Sequence, residues 1–489
     1  MSLAVTGVSE SHVCPRVLAP LVLALVLVGL GLALPAGAST LGASGSPGWH
    51  TQKIRAAGAA NPSAVSFISS THGWVVGDSG SIIATTDGGA SWSTEDSGYA
   101  GSDAILSSIC FVDADHGWAV GSDDSGAVIV ATADGGATWN SQDASAAGEN
   151  AWLSSVSFVD ADHGWAVGSS LDYDSGPALV ILATTDGGAT WDAQYAAPVK
   201  VLDSMEELNA VTFVSAERGW AVGDTGDAAD ESPIILATSN GGLSWKAERA
   251  DARVYGGLYS VSFGDAKHGW AVGGAGGEQV GPPVILVTRD GGATWSAQKA
   301  PRVDSDSFLN AVSFVDAKRG WAVGDANRGY DVHGSPRYAP GILATRNGGA
   351  TWRAQDATSA GAQGELWSVS FADTAHGWAV GISTPSSGDG GPVALATTNG
   401  GYLPRPSLAA LKPTSAKRAA VVTITGKYFG VRRGTNFVKF GATTCKKYLS
   451  WSATRIRCRV PAKAKFGRLK VTVSTTSGIS SAKVLTVRR

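Results

Sequence analysis

The residues of this chain with the most evident chemical potential are carboxylates and imidazoles that recur at a fixed interval. Asp87, Asp134, Asp186, Asn240, Asp290, Asn347 and Asn399 each occupy the pattern Thr-x-Asp/Asn-Gly-Gly, continued by x-Ser/Thr-Trp in every copy but the last. His72, His116, His163, Arg218, His268, Arg319 and His376 each stand directly before a Gly-Trp pair. Acids in a row invite a role as ligands or catalytic acids, and a ring of imidazoles invites metal binding or pH sensing. Seven-fold repetition argues against both. A side chain that bonds the N–H groups of its own turn, followed by glycines that accept positive φ, accounts for all seven Asp/Asn positions at once. Ligands must lie within about 2.1 Å of a shared ion, and a seven-membered ring holds its imidazoles too far apart for that. These residues therefore read as scaffold, with no catalytic residue, metal or cofactor assigned among them.

The elements that hold them follow from the same repeat. Gly73-Trp74-Val75-Val76-Gly77 is echoed as Gly-Trp-Ala-Val-Gly at Trp118, Trp165, Trp220, Trp270, Trp321 and Trp378. A regular period of this kind decides architecture before any other signal. In the third copy, Leu153 to Phe158 alternates as a half-buried strand should, and Asp160 to Gly164 is a turn. Trp165 to Gly168 and Ala178 to Ala183 are the next two strands, Asp186-Gly187-Gly188 is a hairpin turn, and Thr190-Trp191 opens the fourth. Four strands per unit, seven units and no amphipathic helix give an all-β fold, a seven-bladed β-propeller.

Spacing also specifies how the ring closes. Each Asp-motif tryptophan precedes the next Gly-Trp tryptophan by a nearly constant interval, as from Trp92 to Trp118 and from Trp139 to Trp165, but the seventh copy lacks its own. Trp49 stands before Trp74 at the same interval, and Trp49-His-Thr-Gln-Lys-Ile-Arg55 reads like Trp295-Ser-Ala-Gln-Lys-Ala-Pro301. The N-terminal segment is expected to supply the outer strand of the last blade, pairing two edges that would otherwise stay open.

Thr-x-Asp-Gly-Gly-x-Thr-Trp resembles the Asp box, or BNR repeat, of sialidases and related propellers. Its pairing with Gly-Trp-Ala-Val-Gly in seven copies more closely resembles the photosystem II stability/assembly factor propellers, over roughly residues 48–401. That resemblance implies a propeller that binds other macromolecules and has no catalytic centre. From Pro404 the chain changes character: Leu411-Lys-Pro413, Val421 to Gly426, Tyr428-Phe-Gly430, Val438 to Gly441, Trp451 to Cys458 and Val460-Pro461 resemble the IPT/TIG domain, an immunoglobulin-like β-sandwich. Short alternating strands with turn residues every eight to twelve positions read the same way without the resemblance. The expected organisation is a signal segment at 1–38, a linker at 39–47, the propeller at 48–402 and the sandwich at 403–489.

Val17 to Leu34 is an apolar run preceded by Arg16 and followed by Ala36-Gly-Ala38, a small-x-small cleavage pattern. Cleavage after Ala38 would release the protein; an uncleaved run, at the lower edge of a bilayer-spanning length, would anchor it. Either way the reading is secreted or cell-envelope associated. Cys445 and Cys458 suit a disulfide in an oxidising compartment.

Net charge hides a division. The chain totals −3, yet residues 402–489 hold 20 Lys/Arg and no acid, while residues 39–401 hold 40 of the 41 acids and 17 of the 38 bases. About −23 on the propeller faces +20 on the sandwich, which points the basic part toward anionic partners. For an exported monomer those are envelope glycans, other polyanions or lipid headgroups, and nucleic acid is not expected. Docking of the sandwich on its own propeller is the competing use of the charge.

Specificity is expected where the repeats differ. The stretch from Trp321 to Asn347 is twice as long as the equivalent stretch from Trp74 to Asp87. Long variable connections on one face are where a rigid scaffold places recognition. Asp172-Tyr-Asp174 and Asp224 to Glu231 are candidates, although neither completes a Ca²⁺ loop motif. The main candidate for partner contact is Arg328, Tyr330, His333, Arg337 and Tyr338, because Arg and Tyr are typical of interfaces. The reading is an exported, non-enzymatic binding or assembly-factor-like protein. The alternative is a secreted glycan-binding protein or glycoside hydrolase of the sialidase or xyloglucanase sort, which needs paired carboxylates in a cleft.

Overall fold

The computed structural model describes residues 48–489 except 55–60, 99–102, 173–175, 195–205, 226–231, 251–253, 275–281, 301–306, 331–335, 362, 385–389, 403–404, 430–432, 434–435 and 476–477. The expected signal segment and linker lie outside the described residues. Among those described, helix is confined to two single 3-10 turns, Ser145–Ala147 and Thr358–Ala360, and no helix is long and apolar enough to cross a membrane. The chain divides into two compact units after Gly401.

The first unit is seven antiparallel four-stranded sheets, the blades of a propeller. Blade 3 is representative, with Ala151–Phe158 innermost, then Gly164–Asp172, Gly176–Thr184 and Asp192–Ala193 outermost. Blade 7 takes its three inner strands from Gly364–Phe371, His376–Ser383 and Gly391–Thr398. Its outer strand is His50–Gln52, with Thr51 opposite Leu395. The ring is closed by the N-terminal segment, as the spacing of Trp49 requires.

Aromatic packing joins the blades. The phenylalanine ending each innermost strand lies between two tryptophans. Phe213 of blade 4 stacks on Trp165 of blade 3 at 3.5 Å and meets its own box tryptophan, Trp245, edge-on at 5.8 Å. In blade 7, Phe371 stacks on Trp321 at 3.6 Å and meets Trp49 edge-on at 5.7 Å, so Trp49 fills the place of the missing box tryptophan. Trp165, Trp220, Trp270 and Trp321 are among the largest fully buried side chains. Burial of aromatic groups on this scale dominates the energetics of such a core.

Hydrogen bonds stitch the same seams. Each Gly-Trp indole donates to a box glycine carbonyl of the following blade where geometry allows, as from Trp118 Nε1 to Gly187 (2.9 Å) and Trp165 Nε1 to Gly241 (2.9 Å). Inner-strand hydroxyls accept from the next blade's backbone: Ser157 from Phe213 N–H and Ser262 from Phe314 N–H. Cys110 takes the same place in blade 2, its Sγ accepting from Phe158 N–H at 3.4 Å. These bonds satisfy buried N–H groups that would otherwise cost free energy.

The closing glycine of Gly-Trp-Ala-Val-Gly answers a β-bulge. In blade 3 the inner strand shifts register between Leu153 and Ser155, which turns the Trp152 carbonyl toward Gly168. A Cβ at Gly168 would lie 1.9 Å from that oxygen, and every blade repeats the arrangement. A bulged strand leaves no room there for a side chain.

The second unit is a sandwich of two sheets. One carries, in order, Ser407–Lys412, Val421–Lys427, Arg455–Arg459 and Tyr448–Trp451. The other carries Ser415–Lys417, Lys483–Arg488, Gly467–Thr475, Phe437–Phe440 and Thr443–Thr444. Val422, Ile424, Phe429, Phe440, Ile456, Val471 and Leu485 fill the space between them. Cys445 and Cys458 are free thiols, both buried, rather than the expected disulfide. The Cys445 sulfhydryl is oriented toward the Arg459 carbonyl at 3.3 Å, and the two side chains bond each other as neighbours. That contact holds Cys445 down to about 7 and, with burial, pushes Cys458 up.

Candidate functional site

The Asp-box side chains are spent within their own turns. Asp186 Oδ1 accepts from the Thr184 hydroxyl (2.8 Å) and the Thr190 N–H (2.9 Å), and Oδ2 accepts from the Thr190 hydroxyl (2.7 Å). Asn240 and Asn347 reproduce the set with Oδ1 as acceptor and Nδ2 as donor. Asn399 repeats the Thr397 bond, while residue 403, which stands where the other boxes carry Ser or Thr, lies outside the described residues. Where the residue is Asp, these bonds stabilise the ionised form. The Thr190 N–H and hydroxyl bring Asp186 down to about 2, and the Thr138 and Thr294 hydroxyls likewise lower Asp134 and Asp290. At Asp87 burial pushes upward, but bonds from Ser91 and Thr85 outweigh it.

The ring of His and Arg is equally local. His116, His163, His268 and His376 each pair through Nδ1 with an aspartate three residues earlier, at 2.8–3.0 Å. Arg319 pairs with Asp316 in the same way. Among the described residues no three His, Cys, Asp or Glu converge on a point. At the axis, the innermost strands of six blades enclose a cavity of about 130 Å³ lined by Ser66, Ile109, Cys110, Val156, Ser157, Val211, Thr212, Val261, Ser262 and Val312. That lining is apolar and hydroxylic, with neither the carboxylate pair nor the arginines that sugar chemistry would need there.

The long connection of blade 6 differs from its sequence reading. Most of it is not a loop but a projecting hairpin, Gly320–Tyr330 against Pro336–Thr345, paired as far as Tyr330 and Pro336 with a bulge after Asn327. Arg328 and Tyr330 stand on one strand, Arg337 and Tyr338 on its partner, while His333 lies outside the described residues. Tyr338 is half-buried opposite Asn327. Alternation of apolar residues could not reveal this extension, because Asn327 to Tyr338 carries little of it. Tyr173 and Asp174 of the blade 3 candidate, and residues 226–231 of the blade 4 candidate, likewise lie outside the described residues.

Two features escaped the sequence. On the box face, a cleft of about 310 Å³ between blades 5 and 6 is lined by His268, Arg289, Lys318 and Arg346 with Trp270 and Asn347. The equivalent cleft between blades 3 and 4 has Thr185 where blade 5 has Arg289. The second is a carboxylate pair at the opposite rim. Asp325 directly follows the closing glycine of blade 6, is 7% exposed, and accepts from Phe308 N–H at 3.1 Å. Burial, and then the nearby Glu365 of blade 7, push it up to about 7. Glu365 in turn accepts from Trp367 Nε1. Glu207 of blade 4 is raised for the same reasons, burial first and then Asp224.

Comparison with known proteins bears on the geometry just described. Residues 99–193 and 150–258 match the family model described as photosynthesis system II assembly factor YCF48. The propeller is similar to that family. Residues 406–487 match the IPT/TIG domain. No curated protein matches the chain. Among solved structures, YCF48 bound to D1 peptide is 17% identical and covers 73% of this chain and 100% of its own, with a TM-score of 0.49. YCF48 from Cyanidioschyzon merolae is 18% identical over 72% of this chain and 98% of its own, at 0.49. A GH74 xyloglucanase from Xanthomonas campestris is 14% identical over 88% of this chain and 68% of its own, at 0.48. No residue role passes from these structures to the YCF48-like propeller or to its IPT/TIG domain.

Proposed function

We propose that this is an exported, non-enzymatic binding protein of the assembly-factor kind, in which the propeller engages a protein and the basic IPT/TIG domain contacts an anionic surface. One observation carries the reading: the polar groups that recur in the blades are consumed by their own turns and seams, as Asp186 and Trp165 illustrate. Recognition falls to the residues in which the blades differ. Chief among the divergent residues are Arg328, Tyr330, Arg337 and Tyr338 of the blade 6 hairpin, with His333 in the sequence between them, a composition suited to a protein interface. The family match over residues 99–258 supports the assembly-factor class, and 20 cations without an acid support an anionic contact for residues 402–489. The partner is a protein or an envelope polyanion, the protein acts as a monomer, and no cofactor takes part.

The second reading, a glycan-active protein, is favoured by the nearby carboxyl groups of Asp325 and Glu365, with Asp325 raised to about 7 by burial and by Glu365, since glycoside hydrolysis uses two carboxyl groups, one of them a general acid of raised pKa. A glycan array run with a parallel hydrolysis assay separates the two. The proposal expects no turnover of any array glycan; turnover abolished by Asp325→Asn would replace it with the enzymatic reading.

A further inference from the structure

The sandwich presents one face on which cations are arranged in rows rather than scattered. Arg455–Arg459 alternates strictly: Ile456 and Cys458 point inward and are fully buried, whereas Arg455, Arg457 and Arg459 are exposed on the other side. Register extends each arginine across the sheet. Lys412, Thr423, Arg457 and Ser450 form one transverse row, since Lys412 lies opposite Thr423, Thr423 opposite Arg457, and Ser450 opposite Arg457. Ala410, Thr425 and Arg455 form a second row, and Val421 with Arg459 a third. Same-face residues two apart on a strand are separated by about 6.8 Å, and neighbouring strands by about 4.8 Å. The face is therefore a line of three guanidiniums, two of them flanked by hydroxyls. The Arg459 Nη1 bond to the Ala419 carbonyl (2.9 Å) fixes one end of that line.

We infer that this face binds a linear phosphodiester polymer of the polyol-phosphate kind, laid along the Arg455–Arg459 strand. The inference rests on the proposed anionic contact of this domain and names its surface and its ligand class. A guanidinium presents a planar fork that matches phosphate oxygens, and the adjacent Thr423, Thr425 and Ser450 hydroxyls add donors that a carboxylate needs less. An extended phosphodiester chain offers its anions along one line at the spacing of alternate residues, whereas a polyuronate turns successive carboxylates to opposite sides. Nucleic acid fits less well, because single strands need aromatic platforms for their bases. Tyr448 and Trp451 pack against the core instead, the indole donating to the Phe429 carbonyl. With no Asp or Glu anywhere in residues 402–489, this unit holds no anion of its own to neutralise the line.

The test uses the full chain and synthetic poly(glycerol phosphate), with polygalacturonate, a thymidine oligonucleotide and phosphatidylglycerol vesicles as comparators. One variant carries Arg455→Gln, Arg457→Gln and Arg459→Gln. A charge-matched control carries Arg468→Gln, Lys470→Gln and Lys483→Gln, all exposed on the other sheet. The first variant is expected to lose about tenfold or more in affinity for poly(glycerol phosphate), with a log–log salt slope shallower by about 2, from roughly 0.7 per lost contact. The control should lose less than about threefold, because its cations contribute only to the general field. Equal losses in the two variants would overturn the assignment of the face. Tighter binding of the wild-type chain to any comparator would overturn the choice of polymer. Failure of the wild-type chain to bind any polyanion would instead remove the anionic contact on which the inference rests.

Discussion

Trp165→Ala tests whether the repeated residues hold the ring or meet a ligand. The indole is 2% exposed, stacks on Phe213 of the next blade at 3.5 Å, and donates to the Gly241 carbonyl at 2.9 Å. Truncation leaves a cavity at the seam between blades 3 and 4, and among the described residues it leaves that carbonyl the Gln194 amide, at 3.4 Å. Replacing a buried aromatic by alanine costs about 3–5 kcal/mol. A ring of roughly 350 residues unfolds with an entropy of about 0.7 kcal/mol/K, so the melting temperature should fall by about 4–7 °C. Differential scanning calorimetry reads the shift, with Leu243→Ala, a leucine 83% exposed on the same face, as a control that should not move. Partner capture measured well below the transition should be unchanged. A melting temperature within about 1 °C of wild type, or capture lost without a thermal shift, would refute the scaffold assignment.

Gly168→Ala should destabilise by at least about 1–3 kcal/mol, because its Cβ meets the Trp152 carbonyl and a backbone atom cannot swing aside; urea unfolding at unchanged slope checks it. Asp186 is held near 2 against an ordinary value of 3.8, so its contribution is fully present above about pH 4 and disappears as the pH falls toward 2; Asp186→Asn should flatten that part of the acid limb in melts across pH 2–5. Asp325 runs the other way. Its folded value of about 7 exceeds the unfolded one, so the folded state binds the extra proton and stability declines as pH rises from about 4 to 7. Asp325→Asn should therefore raise the melting temperature relative to wild type at pH 8 and leave it unchanged at pH 3.

The ring was legible because its determinants are local and repeat. Trp49 closes it, and its interval to Trp74 announced that role as plainly as the later copies did. The turn chemistry of Asp186 was legible for the same reason. What was not legible depends on contacts between distant segments. The bulge that dictates Gly168 involves the Trp152 carbonyl on the preceding strand, and the blade 6 hairpin pairs segments that lack an alternating pattern. Asp325 and Glu365 belong to different blades, and Arg289, Lys318 and Arg346 meet only because neighbouring blades place equivalent turns side by side. Outer-strand glutamines were also missed. Gln142 accepts from Trp191 Nε1 and donates to the Gly187 carbonyl, and Gln355 does the same with Trp49 and Gly400, a role that a polar residue at a strand end does not advertise.

The central claim is that repeated residues build the ring and divergent ones bind the partner. Its most direct test is quantitative capture from the native envelope fraction by the wild-type chain and by a chain whose 327–338 segment is cut to the length of the blade 2 hairpin. Calorimetry of both chains runs alongside. The expected result is an unchanged melting temperature, with a protein enriched by the wild type and lost by the shortened chain. Capture of the same protein at wild-type strength by the shortened chain would contradict the claim.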